Sequence, residues 1–189
     1  MFKSKPFLHS IFISILLFAF ASSANALNGI PPALKVAGKN LVLNGAGIRT
    51  KFFHPAYFTG LYLDKKSNNA KSIISANTAM AIRMKIVSKH ATLDKVRKGF
   101  FNGFKNASNG NTAAIQSQIN QFMQIGFSSK IKKGDVFDFI YNPAQGIRLI
   151  KNNKQLAVIK GLPFKQSLFG IWLSNKPTQA SLRKSLLGE

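Results

Sequence analysis

Few side chains in this 189-residue sequence can do chemistry, and their types narrow what that chemistry could be. There is no cysteine, so there is no thiolate nucleophile, disulfide framework, zinc finger or iron–sulfur cluster. Only five carboxylates face 27 lysines and arginines, which leaves little for a calcium or two-metal site. Of the three histidines, His9 lies near the N-terminus, while His54 and His90 have no carboxylate close in sequence, so neither a metal set nor a catalytic triad is spelled out. The stretch Gly45-Ala46-Gly47 lacks the third glycine and the following helix of a dinucleotide fingerprint, and no phosphate loop occurs elsewhere. No cofactor and no metal are expected. What remains is Arg49, just after the glycine pair. A guanidinium there has backbone room to approach a ligand and could stabilise an oxyanion. With Lys51 beside it, Arg49 reads equally as one more surface cation. Tyr57 and Tyr62 suit either a site or the core of a sheet, and Trp172 suits a helix-to-sheet packing anchor.

The elements that must position these residues begin after an N-terminal segment with the grammar of a secretory signal. Lys3 and Lys5 precede the apolar run Ile11 to Ala21, and Ala24 and Ala26 occupy the small-residue positions of a cleavage site. The run is about half of the roughly 20 residues that a spanning helix needs. Cleavage after Ala26 is expected, giving a signal over 1–26 and one domain over 27–189. The expected location is the periplasm or the outside of the cell, with no transmembrane segment left.

Along the remainder, hydrophobic periodicity changes twice. Ala33 to Lys66 reads as strands, with a turn at Val36 to Lys39 and a break or bulge at Pro55; Asp64 to Ala70 reads as a polar loop. Met80 to Val87 alternates, with Ile82, Met84 and Ile86 on one face. Thr92 caps a helix whose Leu93, Val96, Phe100, Phe101 and Phe104 form a stripe, and a second amphipathic helix covers about Thr112 to Gln124. Strands return at Val136 to Tyr141, Gly146 to Lys151 and Gln155 to Lys160, joined by Asn142-Pro143 and Asn152-Asn153 turns. Two helices close the chain, Phe164 to Leu173 after Pro163 and Gln179 to Leu187 before Gly188. Strands and helices segregate, so the fold class is α+β: an antiparallel sheet with helices layered on one face.

The formal charge of +22 attracts anions of any kind. The lysines, among them Lys35, Lys39, Lys51, Lys65, Lys66, Lys132, Lys133, Lys151 and Lys165, are spread along solvated faces and form no block or tail. Specific nucleic-acid binding is therefore not expected, whereas weak, salt-sensitive contact with anionic envelope surfaces is.

Several motifs in order resemble one family. Asn44 to Arg49 and Phe58 to Leu63 resemble the opening strands of chalcone isomerase-like proteins, as do Lys133-Gly134-Asp135 and Tyr141-Asn142-Pro143 further on. Ser167 to Leu173, Lys176-Pro177 and Ser181-Leu182-Arg183 resemble its exported bacterial branch. The resemblance spans about Leu27 to Gly188 and implies an open-faced β-sandwich with an apolar cleft between sheet and helices. In the plant enzymes of that family an arginine, a threonine, a tyrosine, an asparagine and a Ser/Thr serve the ring closure of a chalcone. Carried over singly, the arginine falls on Arg49 and matches. The threonine position holds Tyr57, the tyrosine position Thr92-Leu93, the asparagine position Gly99-Phe100 and the Ser/Thr position Ile171 or its neighbour. One of five matches. Non-catalytic members bind fatty acids through an arginine and a tyrosine, a role that Arg49 and Tyr57 would fit. The leading expectation is thus a non-enzymatic binder of an apolar carboxylate. The alternatives are an isomerase (intramolecular lyase) on a chalcone-like or other enone substrate, with Arg49 as its catalytic group, and a cationic envelope-associated structural protein.

Overall fold

Seven strands follow one another in both sequence and space, each antiparallel to its neighbour. The computed structural model describes residues 29–36 and 38–189; the signal expected over 1–26 lies outside them. The strands are β1 (Ala33–Val36), β2 (Lys39–Lys51), β3 (His54–Leu63), β4 (Met80–Ile86), β5 (Val136–Asn142), β6 (Gly146–Lys151) and β7 (Lys154–Ile159). Between β3 and β4 runs α1 (Ala70–Ser75). Between β4 and β5 come α2 (Leu93–Ala107), a 3-10 turn (Ala113–Ile115) and α3 (Gln116–Gly126). α4 (Leu162–Leu173) and α5 (Ala180–Leu187) follow the sheet. This is the expected α+β arrangement.

The helix-facing side of the sheet is apolar because alternate residues of each strand supply it: Leu61 and Leu63, Ile82 and Met84, Phe137 and Phe139, Ile147 and Leu149. Against them lie Phe100, Phe104, Phe122, Phe127, Phe164 and Trp172 of the helix layer, whose rings meet one another or Phe139 edge-on or tilted with centroids 4.8–6.0 Å apart. Thr92 caps α2 by accepting from the Lys95 N–H. Phe101, expected in the stripe of that helix, is instead 55% exposed, because the inward arc passes through Phe100 and Phe104. The other side of the sheet carries a smaller cluster around Tyr62, Ala81 and Ile140, roofed by Ile30; the Tyr62 hydroxyl donates to the Pro31 carbonyl at 2.9 Å. On this side Arg83 and Asp138, opposite one another on β4 and β5, form a two-point ion pair at 2.6 and 2.8 Å.

The structure corrects two sequence readings and sharpens a third. α1 follows directly on the stretch read as a polar loop, starting with Ala70; Asn69 caps it by accepting from the Ser72 N–H. Of the break or bulge expected at Pro55 the structure has the bulge, a register shift opposite Arg49 and Thr50, while the chain reverses just before it at Phe52-Phe53. Lys165 is not a surface lysine: it is fully buried, and its ammonium donates to the carbonyls of Ile73, Ile74 and Ala76 at 2.7–2.9 Å, closing the C-terminal end of α1. The rings of Tyr141 and Phe169 lie within 5.4 Å of the same ammonium.

Candidate functional site

Arg49 on β2 and Tyr57 on β3 are direct register partners, and both point to the helix side. Their facing follows from strand periodicity. Gly45 and Gly47 on β2 lie under α5, and Thr59 and Leu61 continue the Tyr57 side of β3. The backbone room at the glycine pair is occupied, which corrects the expectation that it opens space for a ligand. A Cβ on Gly45 would collide with the Ser185 and Leu186 carbonyls, and one on Gly47 would stand 2.8 Å from the Ser185 Cβ. The glycines let α5 press onto the sheet.

Arg49 reaches from that pressed strand to the connection between α4 and α5. Its guanidinium donates to Gln179 Oε1 at 2.8 Å, to Thr178 Oγ1 at 3.2 Å and to the Thr50 carbonyl. Gln179 Oε1 also accepts from the Thr50 N–H at 3.0 Å, so one amide pins the connection to β2. All partners of Arg49 are neutral. The ion pairs among the described residues are Arg83 with Asp138 and Lys151 with Asp135, so the charge of Arg49 is uncompensated by a carboxylate.

The Tyr57 hydroxyl accepts from the Trp172 indole N–H at 3.1 Å. Burial pushes its ionisation up, outweighing the indole N–H, the charge of Arg49 and the hydroxyl of Thr178, which all favour the phenolate. Tyr57 therefore stays a neutral donor and is not a base at neutral pH. Two residues along the same face, Thr59 Oγ1 is fully buried and makes no hydrogen bond. A buried hydroxyl without a partner is costly and marks a place where a ligand or water oxygen would be stabilised.

Trp172 does serve as the expected packing anchor, and its N–H in addition fixes Tyr57. Thr59, Thr178 and Gln179 are absent from the sequence-level set. Thr59 is legible by counting two from Tyr57, whereas nothing local marks Thr178 and Gln179, which meet Arg49 only through the path of the chain. The other positions carried over from plant enzymes do not join the site. Thr92 caps a helix, Phe100 lies in the ring cluster, and Ile171 packs against Gly103. The aromatic residues expected to line a cleft pack on one another instead. A surface groove of about 690 Å³ runs past Asn69, Lys71, Asn106 and Arg183, and a smaller one of about 220 Å³ lies by Tyr141 and Gly161. Neither is lined by Arg49 or Tyr57. Among the described residues, no group of three or more His, Asp or Glu side chains could hold a metal ion, and no helix is long and apolar enough to cross a membrane.

A curled sheet of seven antiparallel strands with helices on one face matches a chalcone isomerase-like fold. The chain belongs to the chalcone isomerase-like family, whose model matches residues 25–188. Among solved structures it is similar to the Arabidopsis thaliana fatty-acid binding protein AtFAP1, with a TM-score of 0.64 and 14% identity over 82% of this chain and 95% of that one. At that identity the likeness is one of fold. No curated protein sequence matches the chain.

Proposed function

We propose that this protein is an exported, non-enzymatic binder of an apolar carboxylate such as a fatty acid, held at Arg49 and Tyr57, and that residues 1–26 are removed to leave one domain from Leu27. The observation that carries the reading is the guanidinium of Arg49 beside the neutral Tyr57 hydroxyl, with no carboxylate of the chain on it. A ligand carboxylate would replace Gln179 and Thr178 as acceptors, gaining a charge-assisted fork from Arg49 and a donor from Tyr57. The orphaned Thr59 hydroxyl lies on the path inward. Because rings fill the interior, the acyl tail enters as the Thr178-Gln179 connection lifts from β2. The fatty-acid binding of the similar AtFAP1 supports the same class of ligand. The enzyme alternative is less favoured, since Tyr57 stays protonated and, among the described residues, no ion pair brings a carboxylate to Arg49.

Calorimetry with saturated acids from octanoate to stearate tests the reading. Affinity should rise with chain length, each buried CH₂ adding about 0.8 kcal/mol. Arg49→Ala should weaken binding about ten- to a hundredfold, in line with about 1.5–3 kcal/mol for a charged hydrogen bond. Arg49→Lys should recover part of the loss. Equal affinity in all three proteins would remove Arg49 from the site. Protein-dependent cyclisation of a chalcone that Arg49→Ala abolishes would establish the isomerase reading instead.

A further inference from the structure

The tip of the β2–β3 hairpin is built in a way that its fold does not require. Phe52 and Phe53 have φ of +49° and +64°, the left-handed pair of a two-residue hairpin turn that favours Asn and Gly. The chain makes the same turn between β6 and β7 with Asn152 and Asn153, at +49° and +66°. At the first tip two bulky rings take the strained positions and are left 80% and 102% exposed, in contact with neither core cluster. Strain held at side chains that do nothing for the core marks a candidate functional element.

We propose that this tip docks on an anionic lipid bilayer, Phe52 and Phe53 entering its interfacial zone while the cations around them hold the headgroups. Aromatic rings favour that zone, and basic residues at its margin add attraction to anionic lipid. The cations come from three segments. Lys51 flanks the rings, and its ammonium stands 5.6 Å from the Phe52 ring centroid. The Val87 and Ser88 N–H groups bond the Ala56 carbonyl at 3.0 and 3.1 Å, which brings the exposed Lys89 to the same end of the sheet. The Gly134 N–H bonds the Ile86 carbonyl at 2.8 Å, which brings Lys132 and Lys133. Of the carboxylates nearby, Asp135 is paired with Lys151, leaving Asp94 at the start of α2 as the exposed one. A second copy of the chain would present the same excess of cations, so charge selects lipid over self-association. The proposal stands apart from the carboxylate reading, because neither phenylalanine takes part in the hydrogen bonds of Arg49.

The test uses vesicles of equal parts phosphatidylglycerol and phosphatidylcholine. Phe52→Asn combined with Phe53→Gly suits the turn, so the variant should fold at least as stably as wild type. It should bind the vesicles at least about 30-fold more weakly, given what burial of a Phe side chain contributes. Wild-type binding should keep a residual in about 0.5 M salt, where the Debye length is about 4 Å and charge alone no longer suffices. In a Phe53→Trp variant, the emission at position 53 should shift to the blue on vesicles and be quenched by lipid carrying a bromine; the native Trp172 is buried. Undiminished vesicle binding by the double variant would overturn the proposal, as would a loss of self-association or of single-stranded DNA binding in place of vesicle binding. Laurate calorimetry on the double variant reports the carboxylate site separately.

Discussion

Lys165→Met is the sharpest test of how the helix layer is assembled. The wild-type ammonium is fully buried and shares three carbonyls at the end of α1. Burial lowers its pKa from 10.5 to about 8. A depressed lysine means that between about pH 8 and about pH 10.5 the unfolded chain holds a proton which the folded chain has lost, so stability rises with pH across that window. The shift corresponds to about 3 kcal/mol. Methionine fills a similar volume but leaves the carbonyls without a donor, a loss of about 1–3 kcal/mol at neutral pH. Urea unfolding of both proteins from neutral pH to above pH 10 isolates the effect, because every other lysine cancels in the difference. The gap in favour of wild type should widen by about 3 kcal/mol over the window. Parallel curves would refute the reasoning, showing that the three carbonyls and two rings solvate the cation as well as water does.

Gly45→Ala should cost more than about 2 kcal/mol and lower Tm, because the new methyl meets the backbone carbonyls of α5, which cannot rotate away. Asp138→Asn should cost about 2–4 kcal/mol in urea unfolding by leaving Arg83 with a neutral partner on the far face of the sheet, and Asp138→Asn with Arg83→Leu should recover part of it.

The order of elements was legible because each period is carried by large residues: Ile82, Met84 and Ile86 at two, Phe100 and Phe104 at four. α1 was not, since a six-residue helix holds too little pattern to register. The hairpin tip at Phe52-Phe53 was not legible because two phenylalanines lack turn chemistry, whereas the bulge at Pro55 was. Arg49 and Tyr57 could be singled out as candidates by residue type and position. Their common facing depends on the register shift beside them, and the occupant of the space over the glycines depends on α5, far along the chain. Lys165 shows the same limit. Nothing about a lysine in sequence reveals that a helix some 90 residues earlier will end on it, as the separations of its three hydrogen bonds record.

The seat of α5 on β2 also has a temporal consequence. Asn44, one of the first residues of the sheet, donates to the Leu186 carbonyl across a separation of 142 residues. Synthesis is vectorial, so β2 is made early and stays uncovered until the final helix leaves the ribosome. The strands can pair with their neighbours as they appear, but the contact that closes the layer over the glycines waits until α5 has been made. Under the proposed export, with the chain threaded across a membrane before it folds, such a late latch would keep it open while threading lasts.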